Sequence, residues 1–131
     1  MSLMFVTLFK SKIHRATVTE ANMHYVGSIT IAADLMEAAG VLPYERVQVL
    51  NLTNGARLET YVITGERGSG IICLNGPSAH FFAPGDLAII IAYAMMTPEE
   101  ATVWQPTTVF VNEKNEVTGV TRAEKPRMAV E

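Results

Sequence analysis

In several stretches of this chain apolar and polar residues alternate with a period of two, the pattern of strands lying half-buried against a core. Met4 to Lys10 is rich in Val, Phe, Leu and Thr, and Ile13 to Glu20 alternates, so each predicts a strand. Residues 29–33 (Ile-Thr-Ile-Ala-Ala) predict a short strand, after which Asp34 caps a helix with Glu37 at its N3 position and Gly40 at its end. Arg46 to Thr53 alternates again, Asn54-Gly55 supplies the two positive-φ residues of a type I′ turn, and Arg57 to Thr64 returns as the partner strand. Ile71 to Asn75 is a further strand, broken by Gly76-Pro77; Ser78 to Phe82 predicts a helical turn and Pro84-Gly85-Asp86 a reversal. Leu87 to Met96 predicts a long buried strand, Pro98-Glu99-Glu100 a first helical turn, and Thr107 to Asn112 with Val117 to Thr121 a last hairpin before ten frayed residues. Many short strands joined by short connections, with only scraps of helix, predict a mainly β fold closed into a small barrel.

Length and composition narrow this picture without changing it. A chain of 131 residues, nearly half of them apolar, fits one compact domain over residues 4–131. Met1 to Leu3, ahead of Met4, read as a cloning remnant. With 18% charged residues the surface is short of charge, which suits an oligomer, and a net charge of -3 without a basic run offers nothing to nucleic acid or an anionic membrane. Leu87 to Met96 is about half the length of a membrane span. A single cysteine, Cys73, excludes an intrachain disulfide and fits the cytoplasm. His14, His24 and His80 have neither ligand spacing nor cysteine or acidic partners, so no metal is expected.

Candidate chemistry begins with an ambiguous signal. Gly-Ser occurs at Gly27-Ser28 and again at Gly68-Ser69, and taken alone either pair reads as a plain loop. What distinguishes the first is its company. Lys12-Ile13-His14-Arg15, Tyr25-Val26-Gly27-Ser28, Asn51-Leu52-Thr53-Asn54-Gly55-Ala56-Arg57 running on to Thr60-Tyr61, and Asn75-Gly76 with His80 form an ordered set over about 110 residues. Glu66-Arg67-Gly68-Ser69 and Pro98-Glu99-Glu100-Ala101 agree with it. In order and separation the set resembles the bacterial aspartate 1-decarboxylases.

The resemblance implies a six-stranded double-psi β-barrel assembled as a homotetramer with active sites between subunits. It implies self-cleavage between Gly27 and Ser28 into a small β chain and a larger α chain, Ser28 becoming a pyruvoyl group that forms a Schiff base with L-aspartate, with neither metal nor pyridoxal phosphate. The products are β-alanine and carbon dioxide, the former supplying pantothenate and coenzyme A. Thr60 is expected to support cleavage, Tyr61 to donate a proton, and Arg57, Lys12, Asn75 and Gly76 to bind substrate, with His14 and Tyr25 in supporting roles. Arg57 suits this use because its planar fork can grip a carboxylate bidentately. Strict alternation puts Thr60 on the face opposite Arg57 and Tyr61, so one shared site would need a bulge or a role for Thr60 at a different edge. Val26 departs from the family pattern, which has glutamate before the cleaved glycine; Pro77 and Ser78 replace small apolar residues. A non-catalytic barrel serving as a binding module, and a pyruvoyl decarboxylase for another amino acid, are the alternatives.

Overall fold

A computed structural model describes residues 3–128; of the expected N-terminal remnant, Met1 and Ser2 lie outside the described residues, as do 129–131 at the other end. The fold is mainly β. Nine strands run β1 (Val6–Thr17), β2 (Glu20–Asn22), β3 (Ile29–Ala32), β4 (Arg46–Asn51), β5 (Arg57–Gly65), β6 (Ile72–Asn75), β7 (Leu87–Met96), β8 (Thr107–Val111) and β9 (Val117–Thr121). Two short helices, α1 (Ala33–Ala39) and α2 (Pro98–Thr102), and a 3-10 turn over Gly76–Phe81 complete it.

The strands form one mixed sheet in the order β2-β6-β3-β5-β4-β7-β1-β8-β9. Hydrogen bonds do not close it: among the described residues no ladder joins β9 to β2, and nine strands take part where a closed six-stranded barrel was expected. Parallel pairs β1–β8, β2–β6 and β3–β5 connect strands distant in sequence, which period-two patterning cannot specify. Ile13, Ile29, Ile31, Leu35, Val49, Val62, Leu74 and Ile90 are among the side chains at 1% exposure or less, each contributing about 1.5–3 kcal/mol through burial.

Three local expectations are corrected. The first two predicted strands are mostly one: β1 runs through, with register shifts against β7 between Phe9 and Ser11 and between Ile13 and Ala16, the second holding Arg15 at φ +61°. A bulge, not a turn, interrupts the alternation there. Asp34 does not cap α1; its Oδ1 accepts from the Gly68 amide at 2.9 Å, and Glu37 pairs with Arg67 (Nη1 to Oε2 2.8 Å), so both acids hold the β5–β6 loop. Between β4 and β5 only Gly55 takes positive φ, and the turn is wider than two residues. Asn51 shapes it, its amide bonding the Ala56 carbonyl at 2.8 Å while its Oδ1 accepts from Thr53 at 2.8 Å.

Candidate active site

The connection from β2 to β3 delivers Ser28 to the start of β3, next to the end of β6. Ser28 is 3% exposed and sits at φ +86°, a conformation that costs an ordinary L-residue about 1–3 kcal/mol. Its neighbours hold it there. The Ser28 carbonyl accepts from the Asn75 backbone amide at 2.9 Å, and Asn75 Nδ2 donates to Ser28 Oγ at 3.1 Å. The same Nδ2 donates to Thr30 Oγ1 at 3.0 Å, and the Cys73 thiol donates to Asn75 Oδ1 at 3.1 Å. These four residues face one another because Ser28 and Thr30 are two apart along one segment, Cys73 and Asn75 two apart along β6, and Thr30 pairs with Cys73.

Gly76 follows at φ +63°, and a Cβ there would stand 3.1 Å from Gly27 N and Cα and 3.2 Å from the Tyr25 carbonyl. The missing side chain is what lets the Gly27 backbone lie so close. From β5, Tyr61 reaches the same place, its Oη 3.7 Å from where a Gly27 Cβ would be. Tyr25 is half exposed beside the loop, and a hydrogen bond to the Glu20 carboxylate raises its phenol above the ordinary tyrosine range.

Other expected residues lie elsewhere on the chain. The β4–β5 register is unbroken, so Thr60 points away from the face carrying Arg57 and Tyr61, without the bulge a shared site would need. Thr60 precedes by two residues Val62, the parallel partner of Ile29; continued backwards, that register sets it abreast of Gly27. Arg57 is four residues from Tyr61, about 13 Å along the strand, and donates to Gln48 Oε1 at 2.8 Å. Tyr93 Oη donates to that oxygen at 3.0 Å, and Gln48 and Tyr93 line an open groove of about 600 Å³.

Lys12 and His14 share one face of β1 and border a small recess with Thr108 and Phe110. Lys12 is paired with the Glu124 carboxylate and lies 5.5 Å from the centre of the Phe9 ring. His14 meets Phe110 edge-on at 5.8 Å between ring centroids, and its Nδ1 is buried without a partner. Burial first, then the charges of Lys12 and Arg15, push its pKa down, with Glu124 opposing them.

Most expected residues therefore fall into two sets, Tyr25, Gly27, Ser28, Thr60, Tyr61, Asn75 and Gly76 around the loop and Lys12 with His14 on β1, while Arg57 stands apart, bonded to Gln48. Among the described residues no hydrogen bond links the sets. Sequence reasoning missed Cys73, Thr30 and Gln48; the first two carried a signal, being two positions from Asn75 and Ser28 and so on the same strand face. No cluster of three or more His, Cys, Asp or Glu among the described residues could hold a metal ion, and no helix is long and apolar enough to cross a membrane.

Residues 4–118 match the family model described as aspartate decarboxylase. The chain is 61% identical over 122 residues to the aspartate 1-decarboxylase of Acetivibrio thermocellus, covering 93% of this chain and 97% of that one. It is 60% identical over 121 residues to that of Carboxydothermus hydrogenoformans, covering 92% and 95%. With that of Ruminiclostridium cellulolyticum it shares 56% over 128 residues, 98% and 100% of the two chains.

Proposed function

The chain belongs to the aspartate decarboxylase family, and from that premise we infer how its own residues make and use the reactive group. It is an enzyme that decarboxylates L-aspartate to β-alanine for pantothenate biosynthesis. Its reactive group is a pyruvoyl made from Ser28 when the chain breaks after Gly27. The observation that carries this reading is the state of Ser28: buried, strained at φ +86°, with an amide N–H on its Oγ.

The attack of Ser28 Oγ on the Gly27 carbonyl carbon is intramolecular, and strain and confinement would favour the geometry it needs. The amide C–N bond breaks, the proton passes to the Ser28 nitrogen, and an ester joins Gly27 to Oγ. Loss of the Ser28 α-proton then expels the Gly27 carboxylate as Cβ–Oγ breaks. Water replaces the nitrogen, which leaves as ammonia, and a ketone heads the larger fragment. The glycine cradle fits this: Gly76 allows the Gly27 backbone to lie against it, and Asn75 offers N–H to the oxygen on which charge develops. Thr60, abreast of Gly27, would serve the tetrahedral stage.

The ketone supplies an electron sink for the pair left when carbon dioxide departs. The protein's part is to position and neutralise. Arg57 would turn its fork from Gln48 to a substrate carboxylate, and Lys12 would exchange Glu124 for the same kind of partner. Tyr61, whose Oη lies near Gly27, would return a proton to carbon. Asn75 would hold substrate or the new carbonyl, His14 and Tyr25 keeping their supporting roles.

Because Lys12 and His14 lie on β1, four strands from Ser28 and β3 in the sheet order, we place the working site between subunits of a homotetramer and read the mixed sheet as the double-psi barrel. The single buried cysteine fits the cytoplasm. Denaturing intact-mass measurement tests the cleavage. Two fragments divided after Gly27 are expected, the larger without an α-amino group, while Ser28→Ala should stay one chain and lack activity. Activity in uncleaved Ser28→Ala would overturn the pyruvoyl reading.

A further inference from the structure

We propose that Cys73 is a positioning residue for self-cleavage: its thiol, donating to Asn75 Oδ1, decides which end of the Asn75 amide faces Ser28 Oγ. This rests on the reading of Gly27–Ser28 as the cleaved bond. The Asn75 amide has three side-chain partners: Ser28 Oγ at 3.1 Å and Thr30 Oγ1 at 3.0 Å on its nitrogen, and Cys73 Sγ at 3.1 Å on its oxygen. Both hydroxyls can donate or accept, so neither distinguishes the amide from its flipped form. The thiol does. Sulfur is a weak acceptor, and burial, with the Glu20 carboxylate adding to it, pushes the Cys73 pKa up to about 11, so near neutral pH the sulfur keeps its proton and donates.

The orientation matters at a particular bond. After the acyl shift, Oγ is the bridging ester oxygen; in the elimination the Ser28 α-proton leaves, Cβ–Oγ breaks, and the electron pair departs with Oγ as part of the Gly27 carboxylate. An N–H held on Oγ stabilises that charge as it forms. A flipped amide would present Oδ1 to the departing carboxylate and oppose it. Cys73 touches none of the reacting atoms and acts only through Asn75.

The test compares Cys73→Val, which fills the site without a donor, with Cys73→Ser, which keeps a donor, by intact mass over a time course of full-length unprocessed protein. Hydroxylamine, which cuts esters, reports the fraction held as Gly27 ester. Cleavage is expected to slow about tenfold or more in Cys73→Val, as for loss of one oriented hydrogen bond, with ester accumulating. Cys73→Ser should restore both readings to within a few-fold of wild type. Equal slowing in the two variants, or no slowing in either, overturns the proposal. If Cys73→Val does not fold, as judged by its unfolding transition, Cys73→Ala takes its place in the comparison. Wild-type protein that never divides after Gly27 would sink the cleavage reading itself, whereas normal wild-type cleavage with an indifferent Cys73→Val sinks only the role of the thiol.

Discussion

At His14 the surroundings favour the neutral imidazole: burial and two neighbouring cations outweigh one carboxylate. In the unfolded chain the group titrates near pH 6.5, and in the folded protein below it. The unfolded state therefore binds the proton first, so the stabilisation is complete above about pH 6.5 and is lost as pH falls through the folded pKa. Urea midpoints taken from pH 7.5 to pH 5 should decline, and His14→Gln should decline less over that window. A parallel decline in the variant would remove His14 as the cause. At this scale the sequence named Ser28 and Asn75 but not their state. Neither the positive φ of Ser28 nor the direction of the Asn75 amide can be read from residue types, because both are set by strands far apart in the chain. Cys73 escaped notice for a related reason: its significance lies in a partner, and a lone cysteine suggested only an absence of disulfides.

Among elements, Gly76 separates backbone strain from steric contact when compared with Gly55. Both have positive φ, +63° and +80°, but a Cβ at Gly55 would meet nothing within 4 Å whereas at Gly76 it would press on Gly27. Gly55→Ala should lose about 1–2 kcal/mol of stability in urea, the usual cost of left-handed backbone for alanine, and Gly76→Ala should lose more, because contact with the Gly27 backbone adds to the same strain. Only Gly76→Ala should also slow cleavage after Gly27, by intact mass at fixed times. Equal cleavage in both would mean that close approach at Gly76 is not required. Strand β7 matched its predicted limits because a long apolar run between turn signals leaves little choice of boundary. The predicted helical turn at Pro98 is present, closed by a Thr97–Glu100 capping box, but Asp34 was drawn away by the Gly68 amide. Local capping signals hold when nothing distant competes for the same oxygen. The bulges of β1 were illegible because a bulge shifts alternation much as two strands would.

The whole molecule sets its two groups of site residues apart, with Lys12 on β1 and Ser28 before β3. If a neighbouring subunit brings Lys12 to Ser28, co-expressing the inactive variants Ser28→Ala and Lys12→Ala should regenerate about a quarter of the wild-type sites in randomly mixed tetramers. Kinetic assay of the co-purified mixture checks this, and complete inactivity would return both residues to the same chain. The mainly β class was readable from alternation and turn chemistry. The strand order was not, since three of its pairings are parallel and join segments whose separation no periodicity encodes.

Strand β1 lies inside the sheet, bonded to β7 on one side and β8 on the other, and β2 is bonded to β6. Cleavage after Gly27 would leave these strands as a separate peptide, with β1 still held between β7 and β8 of the larger fragment and β2 on its β6 edge. Folding of the intact chain is a first-order process, but regaining the same structure from two denatured pieces is second order and slows with dilution. The mature molecule would thus be held by the height of its unfolding barrier, with no quick return once that barrier is crossed. Cutting the bond would turn refolding of one chain into reassembly of two, and so make the product one-way.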